Sequence, residues 1–321
     1  MAQLKAKPSH LSLDHQKNKK SLIVRYFKQF DLQMMVIPGL LFIFVFSYIP
    51  MYGVLMAFQD YNIFLGMSGS EWVGFKHFQA FFNDPKFTEV MRNTIVLSLL
   101  KFFIGFPAPI ILALMLNEVR NMMFKRTVQT ITYLPHFLSW VIVAGFAMSI
   151  LSTDNGSLNI VLEKLNLIEN PINFLSIPEY FWTIIVTTNV WKSIGFASIV
   201  YLAAIAGVDQ QMYEAAAIDG ASRFKQMFLI TIPSILPIIM IFMILEIGNL
   251  LNAGFEDLLL LGSNPILRSV SDVLDTYVYR VGINNSLYSY ATAIGLFKAV
   301  ISVGLLTMAN YFARRTGNSL W

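Results

Sequence analysis

From Leu32 to Phe58 the chain carries no charged side chain. That run is longer than the roughly 20 residues an α-helix needs to cross a hydrocarbon core. Five further apolar runs follow, near 94–116, 132–152, 180–206, 229–251 and 291–313. Lipid offers no hydrogen bonds, so a spanning segment must satisfy its backbone internally, as a helix does. The pattern therefore predicts an all-α membrane protein with six transmembrane helices. Composition agrees: hydrophobic residues make up 56% of the 321 and charged residues only 13%, where soluble domains average about a quarter charged. There is no cysteine, which excludes disulfides, thiolate catalysis and cysteine-ligated metals.

Basic residues predict the orientation, because cytoplasmic segments are enriched in Lys and Arg. Residues 1–31 hold Lys5, Lys7, Lys17, Lys19, Lys20, Arg25 and Lys28. The second and fourth connections add Arg120, Lys125, Arg126, Arg223 and Lys225, and the tail adds Arg314 and Arg315. The opposite connections, 59–93, 153–179 and 252–290, are longer and poorer in basic residues. Both termini are thus expected in the cytoplasm of a multi-pass membrane protein. The expected division is a cytoplasmic arm (1–31), a membrane domain (32–313) and a cytoplasmic tail (314–321). The arm does not read as a cleaved signal, because the apolar run behind it is too long and no small-residue cleavage pattern closes it. Within the arm, 20–30 (KSLIVRYFKQF) predicts a short amphipathic helix on the inner leaflet. The basic balance suits membrane lipids and not nucleic acid.

Residues 214–237 read EAAAIDGASRFKQMFLITIPSILP. Ala215, Ala216 and Ala217 leave little side-chain bulk, so a partner surface can approach the backbone. Asp219-Gly220 predicts a turn, and Gly220 permits a geometry that side chains disfavour. A docking helix is expected over 212–221.

This segment resembles the EAA loop of permease subunits in type I ABC importers. The residues that carry the likeness are Glu214, Ala215, Ala216, Gly220, Ile230, Ile232 and Pro233; Ile232 stands where the family pattern has Leu. The Asp219-Gly220-Ala221 triplet is similar to the carbohydrate-uptake branch. The stretches 51–62, 93–99 and 252–261 look like the subgroup that imports oligosaccharides derived from polysaccharides. The resemblance implies a MetI-like permease with a cytoplasmic coupling helix and an ATPase-docking loop carrying Glu214, Ala215, Ala216, Asp219, Gly220, Ala221 and Phe224. It also implies cytoplasmic ATP-binding subunits, a second permease subunit (a paralogue), and an extracytoplasmic solute-binding protein or lipoprotein. ATP and Mg would be bound by the partner ATPase, since no G-x-x-x-x-G-K-[ST] loop occurs here. No cofactor or metal is expected in this chain. The competing reading of the loop is an ordinary amphipathic helix.

Charges inside spans are costly and mark functional candidates. Glu246 and Lys298 are expected to pair or to line a water-filled cavity. Lys101 and Lys298 also have the snorkelling reading. Lys192 lies nearer mid-membrane, where a cavity or interhelix pairing is favoured. A sugar path needs hydrogen-bonding groups and aromatic faces. The candidates are Asn189, Trp191 and Lys192 with neighbouring Ser193 on the fourth span, and Glu246, Asn249 and Asn252 on the fifth. The last three recur every three residues and predict one polar helical face; packing between helices is the alternative role. Pro107, Pro109, Pro233 and Pro237 interrupt helix ladders as hinges or static kinks. Rival cargoes are a peptide or a polyol. An intramembrane transferase would instead need clustered carboxylates, and a passive channel would work without ATP.

Overall fold

The computed structural model describes residues 30–315, 317, 319 and 320. The amphipathic helix expected over 20–30 lies, apart from Phe30, outside them. The chain separates into two compact units, Met1–Val54 and Leu55–Trp321.

Among the described residues, five helices are long and apolar enough to span a membrane: Phe30–Phe58, Phe87–Glu118, Pro178–Ala206, Arg223–Gly248 and Tyr288–Arg314. They match the first, second, fourth, fifth and sixth apolar runs. The third run differs. Met122–Phe137 and Trp140–Leu151 reach spanning length only as a pair, and the pair is bent by 107°. Asn121 caps the lower helix by accepting from the Met123 and Phe124 amides, so the connection expected over 117–131 is itself mostly helical. Leu138 and Ser139 are extended, and the Ser139 hydroxyl caps the upper helix at the Ile142 amide. The upper piece has 12 residues, about 18 Å of helix, and cannot cross the bilayer alone.

Three prolines repeat one local solution. Pro50, Pro107 and Pro233 each sit two residues beyond a five-residue π-turn: Phe44–Tyr48, Lys101–Gly105 and Met227–Thr231. A proline has no amide hydrogen, and its ring crowds the carbonyl four residues back. Widening the preceding turn absorbs both defects without ending the span.

In the second unit the packed cores lie at opposite ends of the helices. At the end carrying the long segments 59–86 and 249–287, Leu97, Phe181, Ile185, Leu258 and Leu267 form one core; Phe81, Val90, Leu274 and Ile294 form another. At the end carrying 207–222, Ala113, Leu114, Tyr201, Ile205 and Ile235 pack together. The helix stretches between the two ends are left to line a cavity.

The long-loop end is tied down by polar contacts. Asn93 donates to the Ser269 and Asp272 carbonyls, both at 3.0 Å. Trp182 Nε1 donates to the Val270 carbonyl at 2.9 Å. Asp84 accepts from the hydroxyls of Tyr277 (2.5 Å) and Tyr290 (2.8 Å). Burial opposes the Asp84 charge, but these hydroxyls and the Lys86 amide outweigh it and hold the carboxyl below its ordinary value. Burial pushes Asp272 up despite its pairing with Arg280, and it pushes Tyr277 up to about 12.

Gly195 on the fourth span lets the lower arm of the third span approach closely. A Cβ there would lie 2.1 Å from the Thr132 carbonyl oxygen. Overpacking of this kind costs about 1–3 kcal/mol, so Gly195→Ala should lower the thermal unfolding midpoint of the detergent-purified protein. An unchanged midpoint would show that the two backbones can move apart freely.

Candidate functional site

The docking segment folds as Gln210–Ile218, two residues earlier than the sequence suggests. Asp209 sets the start by accepting from the Gln211 amide at 2.9 Å. Gly220 sets the end with φ +77°. The Ala221 amide bonds the Ala216 carbonyl at 2.8 Å and the Gly220 amide bonds the Ala217 carbonyl at 3.1 Å. That pair of bonds is a Schellman closure, which needs a left-handed residue at Gly220. Glu214, Ala215 and Asp219 are exposed, and Ala216 and Ala221 are half-buried. Ile218 is 87% and Phe224 74% exposed, so an apolar surface stands free beside the small-residue helix. Side-chain contacts among the described residues join this loop to the spans. Tyr213 and buried Thr231 share a hydrogen bond of 2.9 Å, and Arg223 donates to Glu118 at 3.2 Å.

Between the two ends of the bundle lies a cavity of about 740 Å³. Asn189, Glu246, Asn249 and Asn252 all line it, so four of the six path candidates come together. The single-face argument is corrected in one respect. The fifth helix stops at Gly248, Asn249 caps it, and Asn252 follows in a turn where its amide nitrogen donates to Asn249 Oδ1 at 3.1 Å. The polar groups converge because the helix unwinds and not because it continues. Trp191 lies elsewhere, on an apolar groove of about 400 Å³ with Phe146, Ile150 and Thr187. Lys192 borders a smaller cavity of about 370 Å³, which shares Trp140, Asn189, Ser193 and Glu256 with the main one.

The intramembrane charges pair differently from the sequence expectation. Lys298 pairs with Asp275, in the short helix Leu274–Tyr279 outside the spans, and not with Glu246. Lys101 does not snorkel; its ammonium bonds Asp257 Oδ2 and the Ala253 carbonyl, both at 2.6 Å. Glu246 and Glu256 line the cavity without an ion pair or hydrogen bond among the described residues. Trp140, Tyr201, Glu256 and Asp257 are cavity residues that the sequence reading missed. Tyr201 was legible in principle: Asn189, Ser193, Ala197 and Tyr201 recur every four residues and share one helical face. Asp257 carried no such signal, because its partner lies 156 positions away.

Residues 105–318 match the family model described as binding-protein-dependent transport system inner membrane component. The chain belongs to this family. It is therefore an importer permease subunit and not an enzyme, and the ATPase is a separate subunit. Among its relatives is Protein LplB of Bacillus subtilis (strain 168), 47% identical over 284 residues and 88% of each chain. Another is the polygalacturonan/rhamnogalacturonan transport system permease protein YteP of the same organism, 44% identical over 93% of this chain and 92% of that one. A crystal structure of a bacterial alginate ABC transporter in complex with an alginate pentasaccharide-bound periplasmic protein matches with TM-score 0.85 and 38% identity, over 93% of this chain and 99% of the other.

Proposed function

We propose that the permease carries an oligosaccharide inward by alternating access, within a complex that holds a second permease subunit, two ATP-binding subunits and an extracytoplasmic solute-binding protein. The observation that carries this reading is the cavity of about 740 Å³ lined by Asn189, Asn249 and Asn252 beside Trp140, Phe242 and Tyr201. Amide side chains match sugar hydroxyls, and aromatic faces match the apolar faces of pyranose rings. The names of its relatives supply the cargo class: YteP is a polygalacturonan/rhamnogalacturonan permease, and the crystal structure holds an alginate pentasaccharide.

The basic residues of the arm and the tail, with Arg120, Lys125, Arg126, Arg223 and Lys225, favour placing both termini and the Gln210–Ile218 helix in the cytoplasm. The long-loop end then faces outward, where the binding protein delivers sugar. The ATP-binding subunits hold ATP and Mg and close on the small-residue helix. Tyr213–Thr231 passes that displacement to the fifth span, whose far end carries Glu246 and Asn249. The division proposed is an arm (1–31), a membrane domain (32–313) and a tail (314–321).

The test is uptake of labelled oligosaccharides by proteoliposomes holding the whole importer. Sugar-dependent uptake that requires ATP and the binding protein is the expected result. Asn249→Leu with Asn252→Leu should raise the half-saturating sugar concentration about tenfold, the size of one or two lost hydrogen bonds. Uptake of peptides or polyols with no response to oligosaccharides would overturn the cargo assignment.

A further inference from the structure

The break in the third span has a cost that the sequence does not show. Leu138 and Ser139 interrupt the helix beside a mid-span residue of the fourth helix. Irregular backbone at membrane depth persists only where it is buried in protein or lines a cavity, as it does here, and its freed carbonyls need partners. Lys192 meets that need: its ammonium donates to the His136 carbonyl at 2.9 Å and the Leu138 carbonyl at 2.7 Å. It also stands 5.5 Å from the centre of the Trp140 ring, within cation–π range.

The neighbours of Lys192 on the same helical face hold the same turn. Gly195, three residues on, admits the Thr132 carbonyl. Phe196, four residues on, stacks on the His136 ring at 4.0 Å and 2°. Three neighbouring positions on one face of the fourth span thus hold the bend and the arm below it. Trp140, the first residue past the bend, lines both the main cavity and the smaller one.

The geometry points to Lys192 as the positioning residue of the transport path. It fixes the break in the third span and, through it, the indole that borders the two cavities. It does so by neutralising backbone carbonyls, and not by contacting the sugar. A lysine suits this task because its compact ammonium has three donors and no acceptor. The substitution that separates the two roles is Lys192→Met, which keeps length and removes the donors.

The chain lacks cysteine, so paired spin labels can be placed cleanly at Met123→Cys and Phe146→Cys. These exposed positions lie on the two arms of the bend. In the intact importer the parent should give one sharp interlabel distance. Lys192→Met should broaden or move that peak and slow uptake by about tenfold or more, the loss expected from two charge-assisted hydrogen bonds. Lys192→Arg keeps a cation and donors, and should retain both the peak and most of the uptake. If Lys192→Met fails to assemble, Lys192→Gln, which keeps one donating group, is read in its place. A parental distance peak in the variant, with a raised half-saturating sugar concentration, would overturn the proposal and make Lys192 a sugar ligand. The distance arm reads the fold alone and the uptake arm reads transport, so a failure of the cargo assignment leaves the first intact.

Discussion

Lys101→Met should destabilise the protein by about 3–5 kcal/mol, the cost of leaving one member of a buried ion pair uncompensated. Asp257 is 4% exposed and Lys101 13% exposed in their side chains. The lysine also holds the Ala253 carbonyl in the unwound stretch after the fifth helix. Removing it strands a carboxylate and a carbonyl together. Thermal unfolding in detergent should show a lowered midpoint, and segment 249–287 should become more sensitive to protease. Pairing the change with Asp257→Asn removes the stranded charge and should recover most of the loss. Midpoints that fall equally in the single and double variants would show that the two side chains do not act on each other.

Gly220→Val is the second large effect, and it lies in function more than in stability. The residue sits at φ +77°, where a side chain costs about 1–2 kcal/mol and a branched one more. The helix it closes has only nine residues, too short to persist without its cap. With the closure lost, the surface offered by Ala215, Ala216 and Ile218 is misplaced. Displacement of about 1 Å at a working surface can lower a rate on the order of 100-fold, and uptake should fall by that order. The spans' own backbone bonds do not run through this turn, so membrane insertion should hold and the unfolding midpoint should fall only by what that strain costs. Gly220→Asn, which tolerates the left-handed region, should keep most of the uptake. Full transport by Gly220→Val, with the ATP-binding subunits still co-purifying, would remove the loop from the mechanism.

The spans were legible wherever one apolar run becomes one helix, because burial in lipid is written locally as length without charge. Leu32–Phe58 and the run near 180–206 are of this kind. The third run looked the same and is not. Its bend depends on Lys192 and Gly195, which lie more than 50 positions away, and Pro135 and Ser139 were the only local hints. A helix does form where a docking helix is expected, and it starts two residues earlier because Asp209 caps it. The polar cavity was half legible. Asn189, Glu246, Asn249 and Asn252 declared themselves as polar side chains in apolar runs. Asp257 and Glu256 did not, since a carboxylate in a connecting segment looks unremarkable until the segment folds inward. The same cause explains Lys298, whose partner Asp275 comes from a connecting segment and not from a span.

The 107° break has one more consequence. A snapped rod transmits no thrust: a push on its lower half swings that half and leaves the upper half where it was. The fourth and fifth helices, Pro178–Ala206 and Arg223–Gly248, each run on without such a break, the fifth across its π-turn at Met227–Thr231. Displacement started near Gln210–Ile218 has continuous helices to follow there, while the piece Trp140–Leu151 moves as its hold on the fourth helix through Lys192 carries it. One wall of the chamber is thus steered by its neighbour and not by thrust from below.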